Sequence, residues 1–259
     1  MKPITTIASF TILEAVRAHV FTGIAFLSAL LLSSAFFLRE LHFGDNLAQF
    51  LLDSFTGINL FFGGILTIAL VSQLFQRDLE HRWLLMLLSR PVNHHEVIIG
   101  KALGIFCIVA LFVLLNVSLL CVMLALGVSE NLGQVFSAVP RIATNSFIGL
   151  VILGCSSLVI ASFASSLFTH LILSLLFTCG MLLVESADRL VEKGAGLSRI
   201  FGQTISLLLP DLAAFFKAPL LEVRSASSPG SGWDLIPYGL LFVALYLFLA
   251  ILILRKREL

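Results

Sequence analysis

The side chains that could do chemistry are few in this chain, and their spacing argues against most of it. His94 and His95 open the stretch "HHEVIIGK", but neighbours on a helix do not face one ligand, and no HExxH pair is present. Gly100-Lys101 has the ending of a phosphate loop, yet the glycine that such a loop needs five positions earlier is His95. No GxSxG elbow offers a nucleophile. Cys107, Cys121, Cys155 and Cys179 all lie in apolar runs with no CxxC spacing, which argues against a zinc site or disulfide framework and reads as small buried helix residues. No residue qualifies as catalytic, metal-ligating or cofactor-binding, so the chain is expected not to be an enzyme.

The elements around these residues are those of a membrane protein. Of 259 residues, 59% are hydrophobic and 12% charged, the latter about half the share in a soluble domain. The net charge of +1 gives no reason to expect a nucleic-acid partner. A bilayer core takes about 20 apolar helical residues, and six segments meet that need: 20–38, 55–75, 102–128, 142–163, 167–184 and 236–254. The expected fold is an all-α integral membrane protein, one transmembrane domain over 1–259. The third segment is long enough to tilt or extend past the bilayer. Only "ASSL" separates the fourth from the fifth, which calls for a tight helical hairpin. The first run is read as a retained span, because 19 residues precede it and no clear small-residue cleavage site follows. Residues 1–19 read as an amphipathic helix along the inner surface.

Lys2, Arg17, Arg77, Arg82, Arg90, Lys101, Arg255, Lys256 and Arg257 fall on one side of these spans; the short loops of the other side hold Arg39 and Arg141. The positive-inside rule then places both termini and segment 76–101 in the cytoplasm and loop 185–235 outside, as in a multi-pass protein of the cell's inner membrane. Part of that loop, "GLSRIFGQTISLLLPDLAAFFKAPL", is apolar enough to dip into the outer leaflet, with Pro210 dividing it into two short helices.

No span carries Asp, Lys or Arg near its centre, where an ion-coupled carrier needs one. The polar residues within the spans are Asn59, Thr67, Asn116, Asn145 and His170. Asn59, Asn116 and Asn145 read as hydrogen-bonding glue between helices or as part of a substrate path. Gly100 and Gly104, and Ser157, Ala161 and Ser165, recur every four residues, a spacing that permits close helix contact.

Segment 76–101 concentrates the charge. On a helix, Trp83, Leu84, Leu87 and Leu88 share one face, with Asp78, Arg82 and Ser89 mostly off it. Pro91 disfavours helical geometry at Arg90 and so ends that helix. Asn93 and Glu96 are spaced to cap the next one. Such a helix fits either the lipid surface or a soluble partner.

"RDLEHRWLLMLLSRPVNHHEVIIGKALG" resembles the segment between the second and third spans of ABC type 2 transporter permeases: an acidic residue (Glu80), Leu87-Leu88-Ser89, Arg90-Pro91-Val92, then Gly100-Lys101. "FTILEAVRAHVF" is similar to that family's N-terminal elbow helix and "SLLLPDLAAF" to its outer segment before the last span. Within the family the chain is similar to the membrane-bound subunit of nitrous oxide reductase maturation transporters. The resemblance implies a permease subunit that pairs with a second copy or a related permease and with two copies of a separate ATPase, which binds the ATP and magnesium. It makes 76–101 the coupling helix, with Trp83, Leu84, Leu87 and Leu88 in a groove of the ATPase, beside Glu80, Arg82, Arg90 and Pro91. Two other readings stay open: an ATP-coupled mechanotransmitter or assembly factor acting on an outer-side protein partner, and a carrier or channel that needs no ATPase.

Overall fold

The computed structural model describes residues 3–17, 19–37, 47–76, 94–127, 132–164, 166–184, 209–216 and 235–256, and among them there is no strand. Helix α1 is Pro3–Arg17 and α2 is His19–Phe37. Helix α3, Leu47–Ile58, runs through a π turn at Asn59–Gly63 into α4, Gly64–Val71, which ends in a second π turn at Ser72–Gln76. Then follow α5 (His94–Gly127), α6 (Leu132–Phe163), α7 (Leu167–Leu182) and α8 (Leu235–Lys256).

Among the described residues, four stretches are long and apolar enough to cross a membrane: Ala48–Leu74, Glu96–Leu126, Val135–Phe163 and Leu235–Ile253. A fifth is reached if Ile4–Arg17 and His19–Ser34, bent by 63°, count as one span. Helix α7 has 16 residues, about 24 Å of helix against a hydrocarbon core of about 30 Å. Of the six expected spans, four therefore qualify outright, α2 qualifies only when joined to α1, and α7 is shorter than a full crossing. The chain is a multi-pass, membrane-embedded helical protein.

Two helices begin earlier than their apolar runs. The helix that carries the second expected span, 55–75, starts at Leu47, which takes Asp53 into α3 on an exposed position. The helix that carries the fourth, 142–163, starts at Leu132, with Pro140 and Arg141 inside α6. A proline removes one backbone donor, and packed membrane helices tolerate this. Helix α5, at 34 residues, is about 51 Å long and outreaches the bilayer core.

The bundle is built around α6. Its span is 83% buried, against 22% for α8, and it packs against α4, α5, α7 and α8. The main core joins Leu66, Ile105, Phe112, Leu150, Leu158 and Phe242. A second core, with Leu51, Phe55, Leu120 and Val139, ties α2 and α3 to the far ends of α5 and α6. Phe26, Leu114, Leu176 and Phe248 are exposed on the outside, an apolar surface suited to lipid.

Helix α1 does not lie alone on a surface. A β-carbon on Gly100 would meet Ile7 at 2.9 Å, and one on Gly104 would meet Thr11 at 2.7 Å. The contacts advance four residues on both helices in the same order, so α1 runs beside α5 in the same direction. Past Pro210, the Asp211 carboxylate accepts from the Ala214 N–H at 3.3 Å and starts a helical turn over 212–216. That turn is buried: Phe216 lies against Gly149 of α6 and Phe215 against Gly239 of α8. The helix expected before Pro210 falls outside the described residues.

Candidate functional site

Register between the helices follows from three close approaches. A β-carbon on Gly63 would come within 2.7 Å of Leu150 and 3.3 Å of Phe112, and one on Gly154 within 3.0 Å of Thr67. The pairs Gly63–Leu150 and Thr67–Gly154 advance together, so α4 and α6 are parallel. Lys101 bonds the Leu74 carbonyl while Phe112 meets Gly63. Those pairs advance in opposite directions, so α5 is antiparallel to α4.

One helical turn beyond the Gly63–Phe112–Leu150 layer, away from Lys101, each helix presents a polar side chain. These are Asn59 at the first π turn, Asn116 on α5, and Asn145 with Ser146 on α6, all at most 2% exposed. The three asparagines singled out in the sequence thus share one level inside the bundle. Asn59 Nδ2 donates to the Phe55 carbonyl at 2.8 Å. Asn116 reaches a fourth helix, since its Oδ1 accepts from the Ser28 hydroxyl of α2 at 3.3 Å while its Nδ2 donates to the Phe112 carbonyl. Asn59 Oδ1 and Ser146 Oγ are buried with no hydrogen-bond partner among the described residues. The layer is neutral, with donors and acceptors to spare in a low-dielectric setting. It can hydrogen-bond a small polar group and cannot neutralise a charge. Ser28 and Asn116 also line an otherwise mostly apolar groove of about 550 Å³ between α2 and α5, flanked by Phe21 and Phe112.

A second polar group closes the α6–α7 hairpin. Ser166 is extended, and its hydroxyl accepts from the Thr169 N–H, which caps α7. His170 is fully buried, and its Nε2 lies 3.1 Å from Ser157 Oγ, 3.2 Å from Ser174 Oγ and 3.1 Å from the Ser157 carbonyl. A single ring nitrogen thus gathers groups from both arms of the hairpin. Of the four-residue stripe, Ser157 belongs to this cluster, Ala161 is buried in the core and Ser165 falls outside the described residues.

Glu80, Arg82, Trp83, Leu84, Leu87, Leu88, Arg90 and Pro91 all lie outside the described residues, as does most of the loop 185–235. The two flanks of the charged segment are described. They are the π turn Ser72–Gln76, which packs on α6 and α7, and α5 from His94 onward. The sequence gives no sign of Ser28 and Ser146 as polar partners or of the buried position of Lys101. Single serines inside apolar runs carry no distinguishing signal, because such residues are common in membrane helices. Among the described residues no three His, Cys, Asp or Glu side chains gather as they would around a metal. All four cysteines are free, Cys155 buried and Cys107 and Cys179 exposed. Compared with known proteins, the chain matches no family model and no curated sequence.

Proposed function

We propose that this chain is the membrane permease subunit of an ATP-binding cassette transporter of the type 2 kind. In this reading it lies in the inner membrane with both termini in the cytoplasm and crosses six times, with α2 and α7 as full passes. It pairs with a second permease. A separate ATPase docks on segment 77–93, with Trp83 as its apolar anchor and Glu80 and Arg82 at the edge of the contact. ATP-driven closure of the ATPase moves the segment, and the bundle passes that motion to a substrate, in the direction of export. The chain itself carries no nucleotide site, and its work is mechanical.

One observation carries the reading. The two elements that flank the charged segment, the π turn after α4 and the start of α5, both belong to helices packed on α6, the most buried span. A push at the segment therefore has a direct packed route into the centre of the bundle, where the Asn59–Asn116–Asn145 layer lies. The motif resemblance in 77–101 supports an ATPase as the partner, and the charge asymmetry supports the orientation.

The mechanotransmitter reading has its own support. The turn 212–216 buries Phe215 and Phe216 against Gly239 and Gly149, so motion of α6 and α8 is linked to this part of the loop 185–235. An outer-side protein could receive that motion without any solute crossing.

The test is to purify the tagged chain in mild detergent from its native membrane and identify what accompanies it. A subunit with a GxxxxGK(S/T) loop, in equal copy number, is the expected result. Purification with no nucleotide-binding subunit, from membranes in which the protein is active, would remove the ATPase and leave the independent carrier or channel.

A further inference from the structure

Lys101 is the one lysine or arginine buried among the described residues, only 6% exposed. Its ammonium donates to the carbonyl of Leu74, in the π turn that ends the α4 helix. A carbonyl oxygen carries partial negative charge, so an ammonium donating to it is favourable in both hydrogen bonding and electrostatics. A buried ammonium is held in place by such contacts, since leaving it without them is costly. The bond joins residues 27 apart in the chain, on either side of segment 77–93. Next to it, Gly100 and Gly104 let α1 press directly on α5: a β-carbon on either would meet the side chain of Ile7 or Thr11 within 3 Å and the Ile4 or Ala8 carbonyl at 3.1 Å. The π turn also packs on α6 and α7.

We infer that Lys101 is a positioning residue: it clasps the two ends of segment 77–93 together, so that the end of α4, the start of α5 and helix α1 move as one body. Without the clasp, Leu74 of the π turn and the Lys101 turn of α5 would be freer to part, and a push between them would splay the two helices rather than drive the bundle. With it the push reaches α6 through α4 and α5 at once. The transmission role rests on the permease reading; the clasp does not.

The experiment has two arms, both on the full chain in lipid nanodiscs, with Lys101→Met and Lys101→Arg. Met keeps the apolar stem and removes the donor. Arg keeps the positive charge and a donor on a longer stem. In the first arm, amide hydrogen exchange is followed by peptide. Lys101→Met is expected to exchange faster over 72–76 and 94–104, by roughly tenfold, the factor that losing one charge-assisted hydrogen bond carries. Peptides of α8 should be unchanged, and Lys101→Arg should restore most of the protection. Unchanged exchange at 72–76 would overturn the clasp. So would a uniform rise in every helix, which would make Lys101 an ordinary stabilising residue.

The second arm measures hydrolysis by the ATPase that copurifies. Lys101→Met should retain that ATPase in the native amount yet lose its response to the membrane subunit, and Lys101→Arg should regain it. Full coupling in Lys101→Met would overturn the transmission role. If the native chain captures no ATPase, the permease reading fails on that result while the exchange arm still decides the clasp.

Discussion

Gly63 and Leu150 are so closely apposed that a β-carbon on the glycine would lie 2.7 Å from Leu150 Cδ1. Leu150 is fully buried and Phe112 closes the other side, so the leucine has little room to yield. Gly63→Ala should therefore lower stability by about 1–3 kcal/mol, the usual cost of overpacking a core. Gly23→Ala, where nothing lies within 4 Å of the added carbon, should be neutral or slightly stabilising. Thermal unfolding of the detergent-solubilised variants compares the two, and equal midpoints would contradict the register drawn for α4 and α6.

Asn116 and Ser28 should be coupled. Hydrogen bonds between membrane helices average about 0.6 kcal/mol and reach about 1.7 kcal/mol in double-mutant cycles. Asn116→Leu, Ser28→Ala and the double variant should show a coupling in that range, measured as unfolding free energies. Strict additivity would mean that α2 is held to α5 by packing alone.

His170→Ala should cost about 1–3 kcal/mol, since the buried hydroxyls of Ser157 and Ser174 lose the ring they share and a cavity opens beside them. Phe168→Ala, two residues earlier and 71% exposed, should have little effect on unfolding in detergent. A larger loss at Phe168 than at His170 would show that α7 is fixed by its outer face and not by the hairpin cluster.

The sequence made two runs plain. Residues 102–128, interrupted only by Asn116 and Ser118, and 236–254 are long apolar runs, and helices α5 and α8 cover them to within a few residues. Counting apolar residues starts the second and fourth spans at 55 and 142, because it stops at Asp53 and at Pro140-Arg141, whereas helices α3 and α6 begin at Leu47 and Leu132. The helix does not stop there, since an exposed carboxylate and a packed proline are both tolerable. Asn59, Asn116 and Asn145 were legible as polar residues within spans. Their common level was not, because it depends on the pairing of Gly63 with Phe112 and Leu150 across three helices. The four-residue spacing of Gly100 and Gly104 marked a contact face, but only the fold identified α1 as what fills it. Lys101 read as a loop charge, since nothing local reveals that the Leu74 carbonyl waits for it.

Orientation has a direct check. Arg255 is exposed at the end of α8, and the charge asymmetry puts it in the cytoplasm and Ser227 outside. On a Cys-free background, a membrane-impermeant thiol reagent should label a cysteine at 227 from the outside only and one at 255 from the cytoplasm only. The reverse pattern would invert the whole arrangement and remove segment 77–93 from any cytoplasmic partner.

The central claim is that segment 77–93 docks an ATPase through Trp83, and retention of that ATPase by variants tests it most directly. A central aromatic anchor typically contributes about 2 kcal/mol or more, and an exposed edge charge about 0–1 kcal/mol. At matched permease expression, Trp83→Ala should copurify with much less ATPase and lose its coupled hydrolysis, while Arg82→Ala should stay near native. Glu80→Lys should do worse than Glu80→Ala, because it places repulsion where attraction stood. A segment that only rests on lipid headgroups gives the opposite order for the charges, with Arg82→Ala harmful and Glu80→Lys harmless or helpful. Full ATPase retention and normal hydrolysis in Trp83→Ala would contradict the docking role, and with it the account of how this bundle is driven.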